Sequence, residues 1–401
     1  MNEPHESVRP VPRWLHVWAI ATVLVTLVLL VLGQFVTSFR AGMADPIWPT
    51  EPWYLADNYK LDLGYLIEHI HRIAGFAVGG FVSILALGVW YTEPRATARW
   101  FGLALLVILL AAFGQFHREL IVQRDPAVAV QLPTNPLGVM TAALIVALGL
   151  AFSGWNRRGS GLRLLGIAAL IAVMIQGLLG GFRVRLDALF GPELAPIHGI
   201  FAQVVFCLLV SLAVLTGRSQ AGRTSTIPAL LSHLSLALVA LLFVQLIWGA
   251  MVRHAPNALN QRLHLLTAFL AVGLAVWLIR VGFTTAARPR VAFTGWVLGL
   301  LLALQVTLGV EAWMGKFGEE AYAGKRAASR LPEAEQVSAK QAAMRTAHTL
   351  VGTGVLAAAV VFALRVRSRI VDADPRSSVA MWERALAPES AMELIAPGKM
   401  P

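Results

Sequence analysis

At 401 residues the chain has room for two or three soluble domains on the usual prior of about 150 residues each, but its composition removes that option. Hydrophobic residues make up 57% and charged residues 14%, against roughly 25% charged in an ordinary globular chain, and the mean hydropathy is +0.67. So little charge cannot cover a water-facing surface, which excludes disorder, collagen, a coiled coil and a conventional soluble enzyme and leaves an all-α polytopic membrane protein. The net charge of +11 therefore bears on which side of a bilayer each loop occupies rather than on nucleic acid. Cys207 is the one cysteine, which excludes a disulfide, a CxxC pair and a thiolate cluster, so any metal chemistry rests on the ten histidines.

Runs long and apolar enough to cross a bilayer fall near 14–36, 69–91, 99–117, 136–154, 162–181, 196–216, 229–251, 262–282, 292–313 and 346–366. Gln115, His117 and Arg118 crowd the end of the third, and Pro133 and Pro136 open the fourth. Alternate connections are basic: Arg9/Arg13, Arg95/Arg99, Arg157/Arg158/Arg163, Arg218/Arg223, Arg280/Arg288/Arg290 and Arg365/Arg367/Arg369. With ten spans all of these fall on one side, and deleting any span breaks the alternation. The positive-inside rule makes that side cytoplasmic, with both termini inside. The first segment carries two Glu and no small-residue cleavage site, so a retained first helix in a bacterial inner membrane is expected. Trp48, Trp53 and Tyr54 are expected as interfacial anchors, Lys316–Lys340 as a helical outer loop, and 371–401 as a flexible cytoplasmic tail.

Ionisable residues inside a membrane are costly and mark candidate sites. His71, His198, His264 and His348 each lie in the first turns of a span that runs inward, namely the second, sixth, eighth and tenth. Topology alone sets them at a common depth near the outer face. A single histidine at a helix start is more often a satisfied core or interfacial side chain, but four at one level form a pattern. His5, His16, His69, His117, His233 and His254 do not share it and are expected to be structural.

The spacing points to a duplication. His264 and His348 are 84 positions apart and His71 and His198 are 127 apart; the excess is what two further spans with short turns need. Each half then forms a four-helix bundle with histidines opening its second and fourth helices. The expected units are an N-terminal bundle over 1–220 with an inserted hairpin at 99–154, and a C-terminal bundle over 221–370. The segments MIQGLLGGFRV, VQLIWGAMVRH and LQVTLGVEAWMG each set a Gln about four residues before a Gly. Two histidines on facing helices can clamp a haem from both sides, pairing His71 with His198 and His264 with His348. Arg72, Arg262 and Arg345, close in sequence to these histidines, are candidate partners for haem carboxylates, or else lipid-headgroup anchors. Glu68, three residues before His71, shares its helix face. It is either a proton-handling carboxylate beside the macrocycle or an acid favoured by the helix dipole.

These motifs resemble the haem A synthase family. Glu68, His71 and Arg72 in IEHIHRIAGF match a Glu-x-x-His-Arg signature, and QGLLGG before His198, WGAMVRHAPNALNQRLH ending at His264, RTAHTLVGTG with His348, and the loop VTSFRAGMADPIWP are similar to further family segments. The likeness covers most of the chain outside the hairpin and tail. It implies two pseudo-symmetric four-helix bundles and oxidation of a haem O methyl to the formyl of haem A for terminal oxidases. It further implies substrate haem between His71 and His198, a resident haem b between His264 and His348, and Glu68 as the essential carboxylate. The implied partners are membrane lipid, an electron acceptor and a haem O synthase that supplies substrate. The chain departs from the family in lacking a loop cysteine pair and in carrying the hairpin. The alternative is a diheme b-type electron-transfer cytochrome without haem chemistry, which gives Glu68 no necessary task; a transient haem carrier is a third option.

Overall fold

A computed structural model describes residues 11–39, 41–42, 44, 63–123, 131–154, 159–185, 194–217, 228–322 and 339–367, apart from a few side chains at the ends of two helices. The expected anchors Trp48, Trp53 and Tyr54, and the tail 371–401, lie outside these residues. Ten helices follow in chain order: α1 (Arg13–Ser38), α2 (Leu63–Tyr91), α3 (Ala96–Val122), α4 (Thr134–Phe152), α5 (Ser160–Arg185), α6 (Leu194–Thr216), α7 (Ala229–His254), α8 (Ala258–Thr284), α9 (Arg288–Tyr322) and α10 (Ala339–Arg367). All ten carry stretches long and apolar enough to cross a membrane, matching the expected spans one for one. Among the described residues there are no strands.

Local sequence explains where several helices start. Pro12, Pro133 and Pro228 stand just before α1, α4 and α7 with extended or nearly extended backbone, where a missing N–H costs nothing. Asn257 caps α8 by accepting from the Asn260 amide at 2.8 Å, which closes the tight turn from α7. Helix α9 runs to Tyr322, past the apolar boundary near 313, because a helix can continue in polar residues once it has left lipid. The expected helical loop at Lys316–Lys340 is thus partly the end of α9 and the start of α10, with 323–338 outside the described residues.

The helices form two closed four-membered rings. In the first, α1 packs on α2, α2 on α5, α5 on α6 and α6 on α1; in the second, α7 packs on α8, α8 on α9, α9 on α10 and α10 on α7. The rings meet where α1 and α6 touch α10 and α6 touches α7. Helices α3 and α4 pack on one another and then on α2 and α5, so the hairpin lies on the flank of the first ring away from the second. This is the arrangement expected from the sequence: two pseudo-symmetric four-helix bundles plus an insertion.

Lipid is as apolar as leucine, so the bundles are held mainly by close packing and internal polar contacts rather than by escape from water. One buried cluster joins Leu15, Val82, Leu85, Leu170 and Leu209 of the first ring with Leu106 and Leu109 of α3. A second joins Leu30, Phe206 and Cys207 of the first ring to Leu238, Leu278, Leu298 and Phe362 of the second. Cys207 is thus a buried packing residue between the rings. Trp18 of α1 stacks on Phe81 at 4.5 Å and donates Nε1 to the Phe81 carbonyl at 2.9 Å. Thr22 and Thr26 return their hydroxyls to carbonyls one turn back, which satisfies both donors within the apolar interior.

At the end opposite the four histidines, Glu93 is 1% exposed in the turn between α2 and α3. It binds Arg95 at 2.8 Å and Arg163 of α5 at 2.9 Å, while Arg99 of α3 donates to its main-chain carbonyl at 3.1 Å. Arg95 also donates to Ser153 at the end of α4. This clasp ties the hairpin to α2 and α5.

Candidate functional site

The four expected histidines share one local construction. Each ring lies across a glycine on the preceding helix, so closely that a Cβ added there would meet the imidazole Cε1. The distances are 3.0 Å for Gly33 and His71, 3.1 Å for Gly180 and His198, 3.1 Å for Gly249 and His264, and 3.0 Å for Gly309 and His348. The four-helix units are thus each made of two hairpins that carry a glycine near the end of the first helix and a histidine near the start of the second. Glycine is required because any side chain would occupy the ring's place.

A second element recurs three times. Gln176, Gln245 and Gln305, each four residues before its glycine, bring a side-chain amide to the same ring: Gln176 Nε2 lies 3.2 Å from His198 Nδ1 and 3.3 Å from its Nε2, Gln245 Nε2 3.5 Å from His264 Nε2, and Gln305 Nε2 3.4 Å from His348 Nε2. Thr267, one turn past His264, donates to Gln245 Oε1. The corresponding position on α1 is Leu29, so His71 has no such amide. Nδ1 of His71, His264 and His348 is buried without a hydrogen bond of normal geometry, a vacancy that a small shift on ligation can fill.

A ring contact is seen for one of the two expected pairs. His264 and His348 have centroids 6.3 Å apart with planes at 81°. Two imidazoles ligating one metal from opposite sides at roughly 2.0–2.1 Å, each with its centroid about 1.1 Å behind the nitrogen, have centroids about 6.3 Å apart. The spacing admits an iron between them. His71 and His198 interact electrostatically with one another. Among the described residues no three His, Cys, Asp or Glu side chains gather to hold a bare ion. Each couple therefore offers two imidazoles and, among the described residues, no third ligand side chain of these types.

The surroundings of the two couples differ. Glu68 is 4% exposed and is held by Arg72 at 2.7 Å, an i, i+4 ion pair on the helix face of His71. Arg72, expected as a carboxylate clamp, thus has Glu68 as a partner. Arg183, at the end of α5, interacts electrostatically with both His71 and His198 and crowds Gly42. Sequence reading did not single it out, although it sits in the segment MIQGLLGGFRV whose counterpart in α7 ends in Arg253. At the second couple, Arg345 is partly buried three residues before His348, whereas Arg262 is exposed on α8. Glu311, two residues past Gly309, is also exposed.

The remaining histidines are scattered. His69 is fully buried and stacked on Tyr65 at 5.7 Å. His117 packs on Phe113 at 4.3 Å and lies 3.1 Å from its carbonyl. His16 lies at the opposite end of the bundle, 3.4 Å from the Thr216 hydroxyl, and His233 is exposed. Comparison of the chain with protein-family models, with curated proteins and with solved structures gives no match.

Proposed function

We propose that the protein oxidises the methyl group of haem O to a formyl group, giving haem A for terminal oxidases. The carrying observation is the fourfold recurrence of an imidazole laid on a glycine at one end of two bundles, with a spacing at His264 and His348 that fits a shared iron. His71 and His198 hold the substrate haem; His264 and His348 hold a resident haem b. A haem b held there would supply one-electron transfer toward an acceptor outside the chain, and a haem O synthase would supply the substrate.

The two couples take different tasks because Glu68 stands beside the first alone. Clamping the macrocycle fixes its methyl edge, which is a contribution of position. Taking the methyl to a formyl with water as the oxygen source releases four electrons to the outside acceptor and four protons, and the Glu68 carboxylate, one turn from His71, would accept those protons in turn and pass them on. Arg72 orients that carboxylate through their contact at 2.7 Å. The alternation of Arg-rich connections supports a reading in which the histidine end faces the periplasm of a bacterial inner membrane and both termini are cytoplasmic.

Co-expression with a haem O source, followed by chromatography of the extracted haems, tests substrate, reaction and product together. Haem A is expected; haem B alone, with haem O supplied, refutes the assignment. That outcome favours a diheme b-type electron-transfer cytochrome, which the 2.7 Å Glu68–Arg72 pair also accommodates, since an ion pair gives Glu68 a structural task.

A further inference from the structure

One hydrogen-bonded cluster crosses from the second bundle to the first. Arg253 of α7 donates Nη1 to Gln34 Oε1 at 2.6 Å and Nη2 to Ser38 Oγ at 3.0 Å, both on α1. Ser38 Oγ shares a further hydrogen bond of 2.9 Å with the Thr346 hydroxyl of α10. Ser38 and Thr346 are both buried. The cluster therefore ties α1 of one ring to α7 and α10 of the other.

Its members stand beside the histidine seats. Gln34 directly follows Gly33, the seat of His71. Arg253 follows Gly249, the seat of His264, by four residues, and Thr346 precedes His348 by two. Apolar packing sets the rotation of α1 only loosely: residues 27–32 read LVLLVL, aliphatic all round, and against lipid or a neighbouring helix one such face packs much like another. Hydrogen bonds are directional, and Gln34 and Ser38, one turn apart on one face, give the helix a preferred rotation. The seat needs one. Turning α1 by about 15° carries a Cα on a radius of about 2.3 Å through roughly 0.6 Å, whereas a metal–ligand distance tolerates about 0.2 Å.

We propose that Arg253 is a positioning residue for both histidine couples: through Gln34 and Ser38 it fixes the rotation of α1 against α7 and α10, and with it the seats that Gly33 gives His71 and Gly249 gives His264. This rests on the haem reading of the previous subsection for its choice of probe. Full-length protein carrying His348→Ala keeps the first couple alone, and protein carrying His198→Ala keeps the second alone. Each is titrated with haem b, following the low-spin absorption and the electron paramagnetic resonance of bis-imidazole iron, whose anisotropy reports the angle between the ring planes. The unsubstituted chain, titrated alongside, preserves the comparison if a single-couple chain fails to fold. Arg253→Gln should weaken binding at both couples, by roughly threefold to twentyfold at the first, as polar contacts between membrane helices imply. It should also shift the resonance of the first couple, although Arg253 belongs to the other bundle. Arg253→Lys should restore part of the loss. Ser38→Ala, which removes two of the three bonds, should act in the same direction and serves if Arg253→Gln fails to fold. Thr26→Val is the control: its hydroxyl bonds the Thr22 carbonyl of its own helix, so affinity and resonance should stay parental. A first couple with parental affinity and resonance in Arg253→Gln, even with a lower thermal midpoint, makes the cluster a structural tie and overturns the inference. Weakening of the second couple alone, with Ser38→Ala without effect, overturns it too, because Arg253 then acts at its own couple without α1. A parent chain that gives no two-imidazole spectrum overturns instead the haem assignment on which the inference rests.

Discussion

Gly309 offers the sharpest test of the construction beneath the histidines. A methyl added there would meet His348 Cε1 at 3.0 Å, against about 3.5–4.0 Å for an unstrained carbon contact, so the ring must move by about 0.5 Å. Metal–ligand distances tolerate about 0.2 Å, and holding a side chain off its rotamer costs about 0.5–1.5 kcal/mol. Gly309→Ala should therefore weaken haem binding by roughly twofold to tenfold, and Gly309→Leu should abolish ligation by His348, both read from titration and from loss of the low-spin spectrum. Alanine also favours the helix by about 1 kcal/mol over glycine, so yield of folded protein should not fall in step with binding. Gly299 on the same helix is the control: a Cβ there would meet Ile279 at 3.7 Å, an ordinary contact, and Gly299→Ala should bind as the parent does. A Gly309→Leu protein with the parental spectrum and affinity would show that the close seat plays no part in positioning the ring.

Glu68→Ala should retain bound haem yet accumulate unconverted haem O; a normal haem A yield in extracted pigment refutes its assignment. At the opposite end, Glu93→Gln removes the carboxylate that binds Arg95 and Arg163 and should lower stability by about 3–5 kcal/mol, measured by thermal unfolding in detergent. Burial tends to raise the Glu93 pKa, but its bonds to Arg95 and the charge of Arg163 outweigh this and hold it below its ordinary value of 4.5. Its stabilisation is thus full above pH 4.5 and lost as pH falls through the lower folded value, and Glu93→Gln should lack that acid limb. Gly102→Ala drives a methyl into the Trp90 ring and should loosen the hairpin, measured as a lower thermal midpoint in detergent with the histidine spectra unchanged.

The spans and the common level of the histidines were legible because both follow from one-dimensional quantities, namely apolar run length and the alternation of basic loops. The glutamine–glycine spacing was legible too, although its meaning was not: only packing reveals that Gly180, Gly249 and Gly309 are seats for His198, His264 and His348. What escaped depends on how each helix is rotated against its neighbours. Arg253 reaches across to Gln34 on a helix more than two hundred residues earlier, which no local pattern encodes. Arg262 stands closer in sequence to His264 than Arg253 does, yet it faces outward, because two residues along a helix turn a side chain by about 200°. Glu93 gave no sequence signal beyond a lone acid in a basic turn, and its importance comes from Arg163 arriving from α5.

The duplicated plan and its departures bear on how the two sites divide the labour. A strict repeat would place a glutamine amide at all four rings. Leu29 stands where the fourth glutamine would be, so His71 keeps no amide competing for its ring, while its helix supplies the buried Glu68–Arg72 pair. Of the first couple only His198 keeps an amide, that of Gln176 at 3.2 Å, whereas His264 and His348 each keep one within 3.5 Å. On the proposed reading, a site that must admit, turn over and release a ligand benefits from fewer fixed partners and from a carboxylate near the reacting edge. A site that must retain one ligand benefits from amides that orient its rings. The hairpin covers α2 and α5 of the first bundle alone, leaving the corresponding faces of α8 and α9 to lipid, so it restricts lateral entry to the first couple on that flank. Ligand exchange at the first couple then has to proceed elsewhere around the ring. If removing residues 96–152, with 95 joined to 153 by a short linker, left the substrate preference and the exchange rate of the first couple unchanged, the hairpin would be a stabilising flank with no bearing on access.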